Sequence, residues 1–189
     1  NILLINENQI VIVGESYHPT TSNLDGLLIK VDEAGELIWQ KQHGIATANE
    51  SLYSIDKTLE NGFVACGFVS GDVGTTGNDI YVVTFDENGE EIWQESYGTD
   101  RNEVGVAVKT TTAGDYVISC DRQKANAFSY NVYVLKIDNQ GNIIWELDVY
   151  NENNGGCKNM TANSKGNYVI VGEMTTATSN YFDAYILEI

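Results

Sequence analysis

The chain repeats itself. "VDEAGELIW" spans residues 31–39, "FDENGEEIW" 85–93 and "IDNQGNIIW" 137–145. Trp39, Trp93 and Trp145 are 54 and 52 residues apart, and Asp32, Asp86 and Asp138 keep that spacing, as do Gly35, Gly89 and Gly141. Two further phrases recur four times in the same order. One is "DGLLIKV" from Asp25, "DIYVVTF" from Asp79, "NVYVLKI" from Asn131 and "DAYILEI" from Asp183. The other is "NQIVIVGE" (8–15), "NGFVACGF" (61–68), "GDYVISCD" (114–121) and "GNYVIVGE" (166–173). A self-similar period of about 50 residues means that one small structural unit is copied along the chain and buried against its neighbours.

Each unit reads as four short strands. In the second copy these are Ser51–Thr58, Phe63–Phe68, Ile80–Phe85 and Glu91–Glu95, with Leu59–Gly62 as a tight turn whose Asn-Gly supplies a positive φ. No long stretch carries a helical period. In the third strand Leu27, Ile29 and Val31 point one way, as do Tyr81, Val83 and Phe85, and Tyr133, Leu135 and Ile137. The second strand is apolar on both faces, as in Ile10-Val11-Ile12-Val13 and Tyr168-Val169-Ile170-Val171. A sheet enclosed between two other sheets needs that pattern, whereas a sandwich with one wet face alternates more cleanly. The expected fold is all-β: a β-propeller of four-stranded antiparallel blades, with about four repeats of 52–54 residues, the first and last incomplete. It forms one domain over 1–189, with blades at about 1–43, 44–97, 98–150 and 151–189. By register Asn1 matches Ser54 and Ile189 matches Val31. Two explanations stand, a piece of a larger propeller or four blades with an open last edge that invites a partner strand, and the first is favoured.

The thrice-repeated phrase is expected to be a hairpin between third and fourth strands. Asp32, Asp86 and Asp138 accept from backbone amides two residues on, Gly35, Gly89 and Gly141 take positive φ, and the tryptophans cover the seam to the next blade. "DENGEE" also has the look of a calcium loop. That ion needs 6–8 oxygen ligands, and the sister copies "DEAGEL" and "DNQGNI" lose the Asn or the Glu, so the turn is preferred. No metal or other cofactor is expected.

Ten basic residues face 27 acidic ones, a net charge of −17. Such a surface repels nucleic acid and anionic membranes. No apolar run is long enough to span a bilayer as a helix. Cys66, Cys120 and Cys157 lack metal-site spacing and read as buried thiols, with one disulfide as the alternative.

The stretch "NESLYSIDKTLENGFVACGFVSGDVGTTGNDIYVVTFDENGEEIWQESYG" (49–98) resembles the repeats of a large group of bacterial and archaeal secreted or cell-surface proteins. Those repeats run roughly "GNDxAxSIxxTxDGGYIIxGxTxSxGxxDxYLVKLDxxGNxxWxxxYG". The Asp-x-x-Gly-x-x-x-Trp pattern is also similar to the tryptophan-docking motif of quinoprotein propellers and to the Asp-box hairpin of sialidases. The resemblance covers the whole chain and implies a propeller on an exported, extracellular or cell-surface protein. The chain departs from the pattern at "NENNGGCKNM" (151–160), and at Cys120, where the other copies have Gly14, Gly67 and Gly172.

Function is expected on the loops joining second to third strands and each fourth strand to the next unit, the most varied segments on a constant frame. Tyr17, His18, Tyr97, Arg101, Tyr130, Tyr150 and Tyr181 lie there as candidate contacts for a carbohydrate or protein ligand. His18 and His43 are the only histidines, and no nucleophile motif is present, so no catalytic residue is assigned. The favoured expectation is a non-catalytic binding or scaffolding module. The alternative is a glycan-active hydrolase or lyase using loop carboxylates and tyrosines, with Glu15, Asp121 and Glu173 recurring at second-strand ends.

Overall fold

The computed structural model describes residues 1–70, 77–125, 129–149, 154–176 and 179–189, and for residues 176 and 179–181 the backbone alone. Among the described residues there is no helix, and so none long and apolar enough to cross a membrane. The first sheet runs β1 (Ile2–Asn6), β2 (Gln9–Tyr17), β3 (Leu24–Asp32), β4 (Leu37–His43). The second runs β5 (Asn49–Lys57), β6 (Phe63–Ser70), β7 (Asn78–Phe85), β8 (Glu91–Tyr97). The third runs β9 (Glu103–Thr110), β10 (Tyr116–Gln123), β11 (Tyr130–Ile137), β12 (Ile143–Val149), and the last has β13 (Gly155–Ala162), β14 (Tyr168–Thr176) and β15 (Ser179–Glu188). In each sheet the strands pair antiparallel in chain order, so the expected four-stranded antiparallel unit forms in the first three sheets and a three-stranded one in the last.

Alternation decides how the sheets pack. Each middle sheet has a leading face turned to the sheet before it and a trailing face turned to the sheet after it. Ile55, Phe63, Ala65, Tyr81, Val83 and Phe85 of sheet two lead, and pack on Val11, Val13 and Leu28 of sheet one. Val64, Cys66, Ile80 and Val82 trail, and meet Tyr116, Ile118, Tyr133, Leu135 and Ile137 of sheet three. The third seam joins Ala107, Val117, Val132 and Val134 to Cys157, Met160 and Ile170. The core is therefore three apolar seams, and the second strand is apolar on both faces because both faces are covered.

The first strands lie side by side across the seams. Val108 donates its N–H to Ser54 Oγ at 3.2 Å, and Thr110 donates to Asp56 Oδ2 at 2.9 Å. A cavity of about 450 Å³ is lined from β1, β5, β9, β13 and β14, with Ser54, Lys109 and Asn159 among its walls.

One irregularity repeats. Pairing skips Tyr53 between β5 and β6, Val106 between β9 and β10, and Lys158 between β13 and β14. Each bulge throws the first strand towards its neighbour, and a small residue faces it. Leu52 stands opposite Gly67 and Cys157 opposite Gly172, but Gly105 stands opposite Cys120. The departure at Cys120 is thus a glycine that has moved to the other strand of the pair. All three cysteines are free and buried. Burial pushes the Cys157 thiol up to about 11, and it donates to Ser119 Oγ at 3.1 Å.

Candidate functional site

The repeated hairpin phrase is built as its residues dictate. Asp32 Oδ1 accepts the N–H groups of Ala34 and Glu36 at 2.9 Å, and Gly35 sits at φ 80°. Asp86 does the same with Asn88 and Glu90, and Asp138 with Gln140 and Asn142. Gly89 and Gly141 sit at φ 77° and 88°. Hydrogen bonds hold the Asp86 and Asp138 carboxyls below their ordinary value, the first chiefly through the Glu90 amide and the second chiefly through the Asn142 side chain.

Trp39 and Trp93 then dock on the next unit's copy of the same hairpin. Trp93 donates its indole N–H to Asn139 O at 3.0 Å, and its ring centre lies 6.3 Å from that of Tyr116. A Cβ added to Gly89 would lie 2.8 Å from Trp39 Cη2, so that glycine serves both its own φ and the indole above it. Trp145, next to the three-stranded sheet, is 38% exposed and lines a cavity of about 520 Å³ with Tyr168 and Ile189. The hydrogen-bonding group at the end of the fourth strand repeats the theme. His43 Nε2 lies 3.0 Å from Gly89 O, and the Tyr97 hydroxyl donates to Gly141 O at 2.7 Å.

A second set of ties closes the loop side. Asn49, Asn102 and Asn154 accept, through Oδ1, the N–H groups of Leu24, Asn78 and Tyr130 at 3.0, 3.1 and 2.8 Å. Each tie pins the start of one unit's third strand to the start of the next unit. The following residue is a fully buried acid in two copies. Glu50 accepts from the Ile45 N–H at 3.2 Å, and Glu103 from the Thr99 hydroxyl at 2.6 Å. Arg122 Nε lies 3.4 Å from Glu103, and its guanidinium stacks 3.4 Å from the centre of the Tyr133 ring. Gly155 takes the acid's place in the last unit, so "NENNGGCKNM" keeps the asparagine and loses the carboxylate. The asparagines recur 53 and 52 residues apart, the signal by which the sequence marks them.

The candidate ligand contacts do not converge on one point. Tyr17 is 73% exposed at the end of β2. His18 folds back, its Nδ1 accepting the Thr20 and Thr21 amides at 3.3 Å, and lines a cavity of about 220 Å³ with Thr21, Asp25 and Gln42. Tyr97 is engaged by the neighbouring hairpin. Arg101 donates to Gln123 O at 3.1 Å and ties two loops together. Tyr130 is held by Asn154 through its backbone. Tyr150 lies outside the described residues, and for Tyr181 the strand position in β15 is described but not the side chain.

Two of the acids at second-strand ends also reach across seams, and the third, Glu173, pairs within its own sheet. Glu15 accepts from the Ser51 hydroxyl, Asp121 from the Cys157 N–H at 2.6 Å, and Glu173 pairs with Lys158 at 3.0 Å. Burial pushes the Asp121 carboxyl up to about 6, with Glu173 acting in the same sense, while the Cys157 amide and Lys158 oppose. The folded chain therefore holds a proton there that the unfolded chain has released. This group's contribution falls as pH rises from about 4 through about 6. Asp121→Asn keeps an acceptor for Cys157 and removes the titration. Between about pH 4 and pH 7 the wild type is expected to lose on the order of 1–2 kcal/mol relative to the variant, read from urea unfolding at stepped pH.

No family model matches the chain, and no curated protein matches it.

Proposed function

We propose that this chain is a β-propeller module of the exported, cell-surface type, with a non-catalytic binding or scaffolding role and a carbohydrate or protein ligand met on the loop side. The propeller reading is supported by antiparallel sheets packed face to face with their first strands around one cavity. The observation that carries the non-catalytic role is the use made of the chemistry-bearing side chains. His43 and Tyr97 face hairpin carbonyls, Glu15 and Asp121 take donors from the next sheet, and Glu103 and Arg122 hold each other. A group fixed in a structural hydrogen bond contributes rigidity rather than turnover. Exposed Tyr17 beside the His18 cavity provides an aromatic face with hydrogen-bonding groups next to it.

The second reading, a glycan-active enzyme, is favoured by Asp121. A carboxyl raised to about 6 near a second acid, Glu173, is the kind of proton donor such chemistry uses. One experiment separates the two. The protein is incubated with a glycan panel, and both retention and released product are measured. Retention without product, lost in Tyr17→Ala, is the expected result. Product that disappears in Asp121→Asn establishes the enzyme instead.

A further inference from the structure

Two units bury the same pair of acids at the loop side, and only one pair has a cation built beside it. Asp79 and Glu103 are buried, and Arg122, the cross-strand neighbour of Glu103, holds its Nε 3.4 Å from that carboxylate. One repeat earlier the same places are taken by Asp25 and Glu50, also buried, but the cross-strand neighbour of Glu50 is Val69. A Cβ built on Gly44 would stand 2.7 Å from Asp25 Oδ1 and 2.7 Å from Glu50 Oε2, so both carboxylates crowd the space over one α-carbon. Like charges held together out of water are costly unless a cation joins them. Asp25 is 6% exposed, and it lines a cavity of about 220 Å³ with His18, Thr21, Gln42, Gly44 and Ala46. Among the described residues nothing donates a hydrogen bond to the Asp25 carboxylate and no basic side chain pairs with it. Its neighbours are engaged elsewhere. His18 Nδ1 accepts the Thr20 and Thr21 amides, and Gln42 Nε2 donates to Ser16 Oγ at 2.6 Å and Tyr17 O at 3.2 Å, which leaves Gln42 Oε1 as an acceptor.

We propose that this cavity takes the ammonium group of a lysine on a partner protein, with Asp25 as its counter-ion. The inference rests on the binding role proposed above and names the chemistry of the ligand. The molecule supplies a cation to one copy of the acid pair from its own chain. At the other copy it supplies an opening with a buried carboxylate on its wall, and the partner brings the charge. The cavity is smaller than the roughly 300–1,000 Å³ of pockets that enclose whole small molecules, so it admits the end of a side chain and not a complete sugar. Calcium fits poorly, because two carboxylates and an amide oxygen fall short of its about 6–8 oxygen ligands. A compact ammonium donates in several directions from one point, whereas a guanidinium needs a planar set of acceptors. The exposed ring of Tyr17 lies beside the cavity and offers an apolar face to the lysine stem. The net charge of −17 draws a basic partner towards the surface.

The test is calorimetric titration with a capped peptide holding one lysine, with the same peptide acetylated at that lysine, and with calcium chloride. Saturable binding of the lysine peptide is expected, weakened at least about tenfold by acetylation and at least about tenfold in Asp25→Asn. The third unit carries Asn131 at this place, so the fold accepts the substitution, and circular dichroism verifies it. Asp183→Asn makes the same charge change at the exposed counterpart in the last unit, and there affinity should stay within about twofold of wild type. The proposal is overturned if the lysine peptide shows no saturable binding, if acetylation leaves binding unchanged, or if both variants weaken it equally. Calcium bound in preference to the peptide overturns it as well. Retention of a glycan without binding of the lysine peptide sinks this inference and leaves the binding role standing. Product released from the glycan panel sinks the binding role whatever the peptide does.

Discussion

Replacing Gly67 with alanine should destabilise the protein by about 3–4 kcal/mol, while the same change at Gly14, its counterpart in the first unit, should move stability by less than about 0.5 kcal/mol. Both glycines occupy the same place in the repeat, so composition and propensity do not separate them. What separates them is the first strand. In sheet two the bulge at Tyr53 throws the Ser51 carbonyl onto the α-carbon of Gly67, and an added Cβ would overlap that oxygen and press on the Leu52 backbone. Backbone atoms in a paired strand have nowhere to relax without breaking the ladder. In sheet one a Cβ at Gly14 meets nothing within 4 Å. Gly172 is crowded by the Gly156 carbonyl in the same way and should behave like Gly67. Midpoints from guanidinium unfolding compare the three variants directly. If Gly14→Ala is as damaging as Gly67→Ala, the bulge is not what requires the glycine.

The second large effect concerns the tryptophans. Trp93→Ala is expected to destabilise by about 2–3 kcal/mol, and Trp145→Ala by less than about 1 kcal/mol. The side chains are identical and stand at the same place in their strands. Trp93 loses packing against Tyr116 and the next hairpin, and leaves Asn139 O without its donor. Among the described residues no such hairpin meets Trp145, which is already partly solvated. Trp93→Phe should recover most of the packing but not the hydrogen bond. Equal losses at 93 and 145 would mean that the indoles act through their own sheet rather than across the seam.

These two contrasts mark what the sequence discloses and what it withholds. The hairpin was legible down to its hydrogen bonds, because a short carboxylate and a glycine at fixed offsets determine a turn locally. The faces of the third strand were legible too, since alternation of Tyr81, Val83 and Phe85 against Val82 is a property of the pleat. Local pattern was less exact in the Asn61-Gly62 turn. Asn61 takes the positive φ of 66°, and Gly62 is glycine because a side chain there would strike the Phe85 carbonyl. Strands also run further than propensity suggested, β6 to Ser70 and β8 to Tyr97, because pairing carries polar residues along. What sequence could not supply was which unit each side chain answers to. Tyr97 sits beside a loop in sequence and reads as a ligand contact, yet its hydroxyl reaches Gly141, 44 positions on. That contact follows from how two sheets lie against each other, which no single strand encodes. The asparagine ties at 49, 102 and 154 were discoverable by period alone, but their partners were not.

The ties between units are polarised along the chain. A unit lends its aromatic rings forward to the following hairpin, and the following unit sends an asparagine back to fasten the third strand it abuts. Loosening therefore has a grain. Unravelling from the carboxyl end strips each of the first two units of the turn that shelters its indole before disturbing that unit's own strands. The tryptophans would become wet in reverse chain order, a ready-made optical clock for the direction in which the array comes apart.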